Sequence, residues 1–284
     1  MESWLLENAT PVRLVAFFAI LLVMGLWEWR APCRKAELGR LVRWPTNLGV
    51  VFLNSFVVKL LFPVTAIAYA AHVQSQGHGL LALWGLDGVW GVVLAIVLLD
   101  GIIYLQHVMV HAVPMFWRLH QVHHADTVYD VTTGARFHPI EICLSMGIKL
   151  AAIHLLGPAP VAVLLFEVIL NGMAMFNHAN IQLPQPLDRL LRSLLVTPDM
   201  HRVHHSVHGD EANSNFGFNL SIWDRLMGTY RTAPRDGQVG MTIGLEKLRG
   251  AQTHTFLGIL QLPFRATESR YAINRRGLAK REGS

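Results

Sequence analysis

The sequence predicts an all-α integral membrane bundle: a first span, about four further membrane-embedded helices or hairpin halves, and a histidine-rich cap on the cytoplasmic side. Three observations predict it. The 284 residues are 52% apolar and only 15% charged, with a mean hydropathy of +0.36, outside the range of soluble globular domains. The apolar residues fall in runs suited to crossing roughly 30 Å of hydrocarbon. Histidines, fifteen against nineteen acidic side chains, gather at the polar ends of those runs in repeated spacings.

Pro11 to Trp27 is the first run, with Arg13 placed to snorkel at its outer end. It lacks a basic segment before it and an A-x-A site after it, so it reads as a retained helix rather than a cleaved signal. Arg30, Arg34, Lys35, Arg40 and Arg43 follow. That positive loop, flanked by Trp27, Trp29 and Trp44, marks the cytoplasmic face and puts the N-terminus outside. The second run, Asn47 to Val73, is interrupted by Lys59 and Pro63 and is expected to kink or to divide. Its return loop, His72 to Gly88, has no Lys or Arg, which places His72 and His78 on the opposite side from the other histidines.

Val89 to Val110 comes back inward. Its polar residues Asp100, Tyr104, His107 and His111 stand at offsets of four, seven and eleven, one helical stripe facing the bundle. A carboxylate at this depth is expensive unless paired, so Asp100 is expected either to hydrogen-bond a ligating imidazole or to join helices. Arg118 to Glu141 is polar and amphipathic. Ile142 to Leu156 and Pro160 to Phe176, joined by a Gly-Pro-Ala-Pro turn, suit a hairpin entering and leaving by the cytoplasmic side, with Lys149 and Glu167 in register to pair across it. Beyond His178 the chain is soluble in character. Residues 1–88 form the N-terminal membrane region, 89–230 the histidine-bearing domain, and 231–284 a cytoplasmic tail whose Arg265, Arg270, Arg275, Arg276, Lys280 and Arg281 suit anionic headgroups.

The formal charge of +5 and pI near 9.5 are read in the same way. No nucleic-acid motif accompanies the charge, so nucleic acid is not an expected partner. Cys33 and Cys143 form no disulfide framework and no thiolate metal site.

The chemistry lies in the histidines. His107 and His111 are four apart, so on a helix their rings share one face. His120, His123 and His124 form an HxxHH, and His201, His204 and His205 repeat it about eighty residues later. One such pair is commonly a satisfied core pair; three clusters together read as a metal centre. With His178 there are nine imidazoles, more than a closed four-ligand zinc site or a three-ligand catalytic zinc requires, and enough for two metals with open positions. Imidazole alone does not choose among Fe, Zn, Cu and Ni. A zinc protease needs Glu after the first His of HExxH, where this chain has Val108, Gln121 and Arg202. A dinuclear iron centre that binds O2 and attacks an unactivated C–H bond explains the position at the membrane surface, where a lipid or sterol meets reductant from the aqueous side. The rival from another class is a membrane metal-binding or transport protein without redox chemistry.

These motifs, HxxxH at His107 and His111 and HxxHH at His120–His124 and His201–His205, resemble those of the fatty acid hydroxylase and sterol desaturase superfamily. The likeness includes Asp100, Tyr104, Trp117, the R-x-H-P-x-E segment from Arg136 to Glu141, Asn215-Phe-Gly217, Trp223-Asp224 and Gly228-Thr229, over about residues 90 to 230. The resemblance implies an integral-membrane oxygenase with two Fe ions that uses O2 to hydroxylate or desaturate a membrane lipid or sterol. It implies His107, His111, His120, His123, His124, His201, His204 and His205 as ligands, with His178 the ninth. Some family members carry a further HxxxH where this chain has Ala174 and Gln182. No cytochrome- or ferredoxin-type motif is present, so a separate carrier of that kind is the expected electron donor. His138 is open between ligand, supporting donor and helix start with Pro139 at N1. Glu141, Asn215 and Asp224 are open between supporting the ligands and joining the loops above them.

Overall fold

The computed structural model describes residues 1–265; the basic residues expected as a tail at Arg270, Arg275, Arg276, Lys280 and Arg281 lie outside the described residues. Among the described residues every regular element is helical, with two isolated β-bridges, Leu195 to Leu220 and Ser206 to Ile243. Five segments are long and apolar enough to cross a membrane. The helices that matter to the site are α1 (Ala9–Arg30), α2 (Arg40–Leu61), α3 (Ala66–Ser75), α4 (Gly88–Ala112), α5 (Pro114–His124), α6 (Pro139–Leu156), α7 (Pro160–Asn177), α8 (Pro198–His204) and α9 (Phe256–Arg265).

Prolines and glycines set the punctuation. The second apolar run divides, as expected: α2 stops at Leu61, two residues before Pro63, because the residue preceding proline disfavours the helical region. The α3 helix then starts on Thr65, whose Oγ1 accepts from Ala68 N at 3.1 Å. Val113, extended at φ −96° and ψ 115°, separates α4 from α5, and Pro114 opens α5 with its preset φ. This one-residue hinge turns the histidine-bearing end of α4 onto α5.

The hairpin forms as α6 and α7. Gly157 ends α6 in the left-handed region at φ 63°. A Cβ on Gly157 would lie 2.2 Å from the carbonyl of His78, and one on Gly79 would lie 2.4 Å from Gly157 Cα. The hairpin tip therefore docks on the loop that the sequence places on the far side, at the opposite end of α6 from Glu141. Lys149 Nζ sits 2.9 Å from Glu167 Oε1, the expected cross-hairpin pair, and Arg13 Nη1 reaches the other oxygen at 2.7 Å.

Burial orders the spans. In α7, 56% of the apolar window is buried, against 11% for α1. Thus α7 is the centre of the bundle, while α1 and α2 turn Phe18, Leu22, Phe52 and Phe56 outward, as lipid-facing helices do.

Two readings change in the polar half. Arg43, taken as a loop charge, is 1% exposed; its Nε donates to Asp126 Oδ1 at 2.9 Å and its Nη1 to Asp130. The segment after Tyr230, taken as a tail, returns to the core as far as α9. Met241, Ile243, Leu245, Leu248, Ile259 and Leu262 are buried, Gly244 N donates to His205 O at 3.0 Å, and α9 packs on α5 and α2. Short apolar stretches between polar loops lack the length that identifies a span, yet they cover the site.

Candidate metal centre

The nine imidazoles expected from the sequence meet in two adjoining groups. His107, His111, His120, His124 and His204 form one; His123, His178, His201 and His205 form the other, with the potential donor atoms of each group within 4.8 Å of one another. None of the nine is more than 3% exposed.

The hinge at Val113 explains the first group. His107 Nε2 lies 3.2 Å from His120 Nε2, and His111 Nε2 lies 3.1 Å from His124 Nε2, so the four-residue spacing on α4 matches that on α5. The α8 helix adds His204, whose Nε2 stands 3.0 Å from that of His107. Thr197 caps α8 and Pro198 occupies its first position, which lets a helix of seven residues hold His201 and His204 at its last turn with His205 just beyond. His178, at the C-terminal cap of α7, brings its Nε2 to 3.1 Å from both His123 and His201.

The outer ring nitrogens decide what the inner ones present. His107 Nδ1 faces the Phe216 carbonyl at 2.7 Å, His120 Nδ1 faces Glu141 Oε1 at 2.6 Å, His178 Nδ1 faces the Ala174 carbonyl at 2.7 Å, and His204 Nδ1 faces the Ser214 carbonyl at 2.8 Å. Each of these partners accepts, so each Nδ1 carries the proton and each Nε2 is left as a bare lone pair. The lone pair of His107 therefore faces those of His120 and His204 across 3.2 and 3.0 Å. That repulsive contact is relieved by a cation at its focus. His205, fully buried, has neither ring nitrogen partnered among the described residues.

Burial first, and then neighbouring imidazoles, hold His123, His124, His201 and His205 well below the ordinary histidine range, and burial holds His204 there too; for His178 burial lowers the value to about 4. Neutral imidazole is the form that binds metal. The donor set, all nitrogen, with the outer N–H groups of His107, His120, His178 and His204 anchored, fits two divalent first-row metals.

Of the six residues expected around the ligands, Glu141 alone touches a clustered imidazole. Asp100 accepts from Trp223 Nε1 at 2.9 Å and from the amides of Leu220 and Asn219, so it ties α4 to the 219–223 loop. Tyr104 OH pairs with Thr229 Oγ1. His138 caps α6, accepting from Ile140 N at 3.2 Å, with Nε2 toward the Leu260 carbonyl. Asn215 donates to the carbonyls of Met200 and Arg231 from a backbone at φ 53°. Asp224 accepts from Phe216 N and Gly217 N, and so fixes the carbonyl that orients His107. Asp100, Asn215 and Asp224 act on loop backbone because the loops need side chains to satisfy their polar groups, whereas Tyr104 meets a side-chain hydroxyl and His138 the backbone of α6 and α9.

Other supports escaped the sequence reading. Asn213 Oδ1 lies 3.3 Å from His111 Nδ1, and the Phe137 ring stacks on His123 at 4.5 Å. Asp126 binds Arg43 and Thr133 beneath the first HxxHH. Burial would raise its carboxyl, but Arg43 and Arg136 hold it well below the usual carboxylate range. Only the place of Asp126, two residues after His124, hinted at this.

His107, His120 and Gly134 border a cavity of about 380 Å³ that runs between α1, α2, α4, α6 and α7 as far as Lys149 and Glu167.

Residues 92–229 match the fatty acid hydroxylase family. Similar proteins include an ornithine lipid hydroxylase of Rhizobium tropici, 33% identical over 61% of this chain and 50% of that protein. An alkylglycerol monooxygenase of Xenopus tropicalis is 26% identical over 77% of this chain and 47% of its own. Human cholesterol 25-hydroxylase is 26% identical over 62% of this chain and 63% of its own. The chain spans about half the length of the first two. No solved structure matches it. The matched segment 92–229 carries all nine clustered histidines in the spacings found in the sequence, so the likeness to the fatty acid hydroxylase family falls on the residues that form the two imidazole groups.

Proposed function

We propose that this protein is an O2-dependent, membrane-bound lipid hydroxylase whose nine imidazoles hold two irons on the cytoplasmic side. The observation that carries the reading is the set of bare Nε2 lone pairs of His107, His120 and His204, with His107 and His120 at the wall of a largely apolar cavity. When bound, the irons supply the activation of O2 that C–H oxidation requires.

The protein supplies the rest. Phe216, Ser214 and Ala174 carbonyls and the Glu141 carboxylate fix ring orientation, so the donor geometry is set before metal arrives. Val51, Val58, Ile103, Ile142, Leu170 and Phe218 line the cavity and exclude water from a hydrocarbon chain lying against His107 and His120. The names of the similar proteins, all hydroxylases or monooxygenases, favour hydroxylation over desaturation. The electrons come from a separate ferredoxin- or cytochrome-type carrier. Both imidazole groups sit at one end of the bundle rather than along a path through it, which disfavours metal transport.

Mass spectrometry of lipids from cells with and without the gene tests the reading, alongside iron analysis of the purified protein. A lipid heavier by one oxygen, present only with the gene, is expected. Unchanged lipids together with protein that retains no iron would overturn the proposal.

A further inference from the structure

The cavity does not end in hydrocarbon. At the end away from the histidines stand Arg13, Lys149 and Glu167, contributed by α1, α6 and α7. Glu167 is 11 residues before His178 on α7, about 16 Å at the helical rise, and Lys149 is 8 residues after Glu141 on α6, about 12 Å. Two cations and one carboxylate thus sit 12–16 Å, roughly, from the imidazoles, well inside the apolar bundle.

The composition of this triad exceeds what helix joining needs. A single ion pair would satisfy Glu167, yet both of its oxygens are engaged, one by each cation. Among the described residues Glu167 is the only hydrogen-bond partner of Arg13 and of Lys149, so the guanidinium and the ammonium each spend one donor and keep the others. The formal charge of the three is +1. A net cation at this depth is costly unless a negative group or water completes it. The Arg13 side chain is 31% exposed and that of Lys149 14%, while Glu167 is nearly covered, so the unused donors are the accessible part. A second observation marks the cavity as built for a polar ligand. Asn54, 6% exposed, lines it with Oδ1 unpartnered among the described residues, and Gln106 Oε1 is likewise orphaned in its wall; both oxygens accept, so they suit an O–H or N–H elsewhere on the ligand and leave its carboxylate to the two cations.

We infer that Arg13 and Lys149, held in place by Glu167, form a subsite for the carboxylate of an acidic amphiphile, which sets the carbon that reaches the imidazoles. The inference rests on reading the cavity as the lipid site and deepens it: the preferred substrate carries an acidic group one cavity length from the oxidised carbon. Glu167 is a positioning residue, since it orients the two cations. A neutral sterol or glyceryl ether leaves their donors unmatched.

Equilibrium displacement of radiolabelled palmitate from the full-length, metal-loaded protein in nanodiscs tests this, with palmitate, hexadecanol and hexadecyl phosphate as competitors. The unaltered protein is expected to favour palmitate over hexadecanol by about tenfold, the worth of one charge-assisted hydrogen bond, and over hexadecyl phosphate. Arg13→Gln and Lys149→Met each reduce that preference, and Glu167→Gln alters it without abolishing binding of the neutral alcohol. Equal binding of palmitate and hexadecanol by the unaltered protein overturns the inference without depending on any variant's folding; a preference for the phosphate overturns the carboxylate assignment. The two readings fail separately. Palmitate preference with no oxidised lipid sinks the hydroxylase and leaves the subsite, whereas oxidation of a lipid lacking an acidic group, with no palmitate preference, does the reverse.

Discussion

Glu141 Oε1 lies 2.6 Å from His120 Nδ1, both side chains buried, at the one point where the first turn of α6 touches the imidazole cluster. The carboxylate accepts the His120 N–H, which turns His120 Nε2 toward His107 and raises its basicity as a donor. Its other oxygen has no hydrogen-bond partner among the described residues. Glu141→Ala is expected to lower metal affinity by about 10- to 100-fold, and Glu141→Gln by less, because an amide oxygen still accepts. Retained iron after dialysis against graded chelator measures this. Iron retention by Glu141→Ala equal to that of the unaltered protein would show that His120 does not need its partner.

Gly134 and Gly147 make a matched pair for a test of close approach. A Cβ on Gly134 would stand 2.3 Å from the Ala174 carbonyl and 3.1 Å from His178 Nδ1, whereas one on Gly147 in α6 meets nothing within 4 Å. Gly134→Ala forces the 133–135 turn away from α7 and is expected to destabilise by about 1–3 kcal/mol while disturbing His178. Gly147→Ala is expected to be neutral or to gain about 0.5–1 kcal/mol, the helix-interior cost of glycine. Thermal unfolding of both variants in one detergent decides; equal melting temperatures refute the steric argument.

The buried network beneath the first HxxHH yields a larger effect. Arg43, 1% exposed, is tied to Asp126 and Asp130, and Arg136 Nε donates to the Val122 carbonyl near the end of α5 at 2.9 Å. Removing one partner strands a charge, so Arg43→Met is expected to cost about 3–5 kcal/mol. Arg43→Met combined with Asp126→Asn is expected to lose less than the sum of the singles, since each change removes what the other leaves uncompensated. Additivity within experimental error in chemical denaturation would argue that the pair is not coupled.

The histidines were legible in the sequence because their information is local: a four-residue spacing on α4, matched on α5, survives any packing that keeps the helices. The five spans were legible for the same reason, as was the Lys149–Glu167 pair, since a hairpin fixes its own register. Arg43 was not. Its carboxylate partner stands 83 residues away, so spacing cannot find it, and a positive residue after a span reads naturally as a cytoplasmic loop charge. Asp100 was legible as a buried group with a partner, but which partner depended on where the 219–223 loop returns. Sequence reasoning placed the donors; groups from the 213–216 loop, the carbonyls of Phe216 and Ser214 and the side chain of Asn213, orient His107, His204 and His111, while the Ala174 carbonyl one helical turn back orients His178.

Metal removal ties the centre to the fold. His107 Nε2 on α4 approaches those of His120 on α5 and His204 on α8 within 3.0–3.2 Å, contacts that repel when nothing lies between them, and His178 at the end of α7 stands 3.1 Å from His123 and His201. A metal that binds the folded protein alone stabilises it by RT ln(1 + [L]/Kd), about 2.7 kcal/mol at a hundredfold excess over Kd. Chelated protein is therefore expected to melt at a lower temperature than iron-loaded protein and to recover on anaerobic addition of Fe(II), with two sites filled at saturation. His205→Ala removes a donor from the four-histidine group only, so it is expected to lower the iron content from two toward one and to keep part of the thermal gain. If His205→Ala instead abolishes all metal binding while the protein still unfolds cooperatively, the two groups form one indivisible site rather than two.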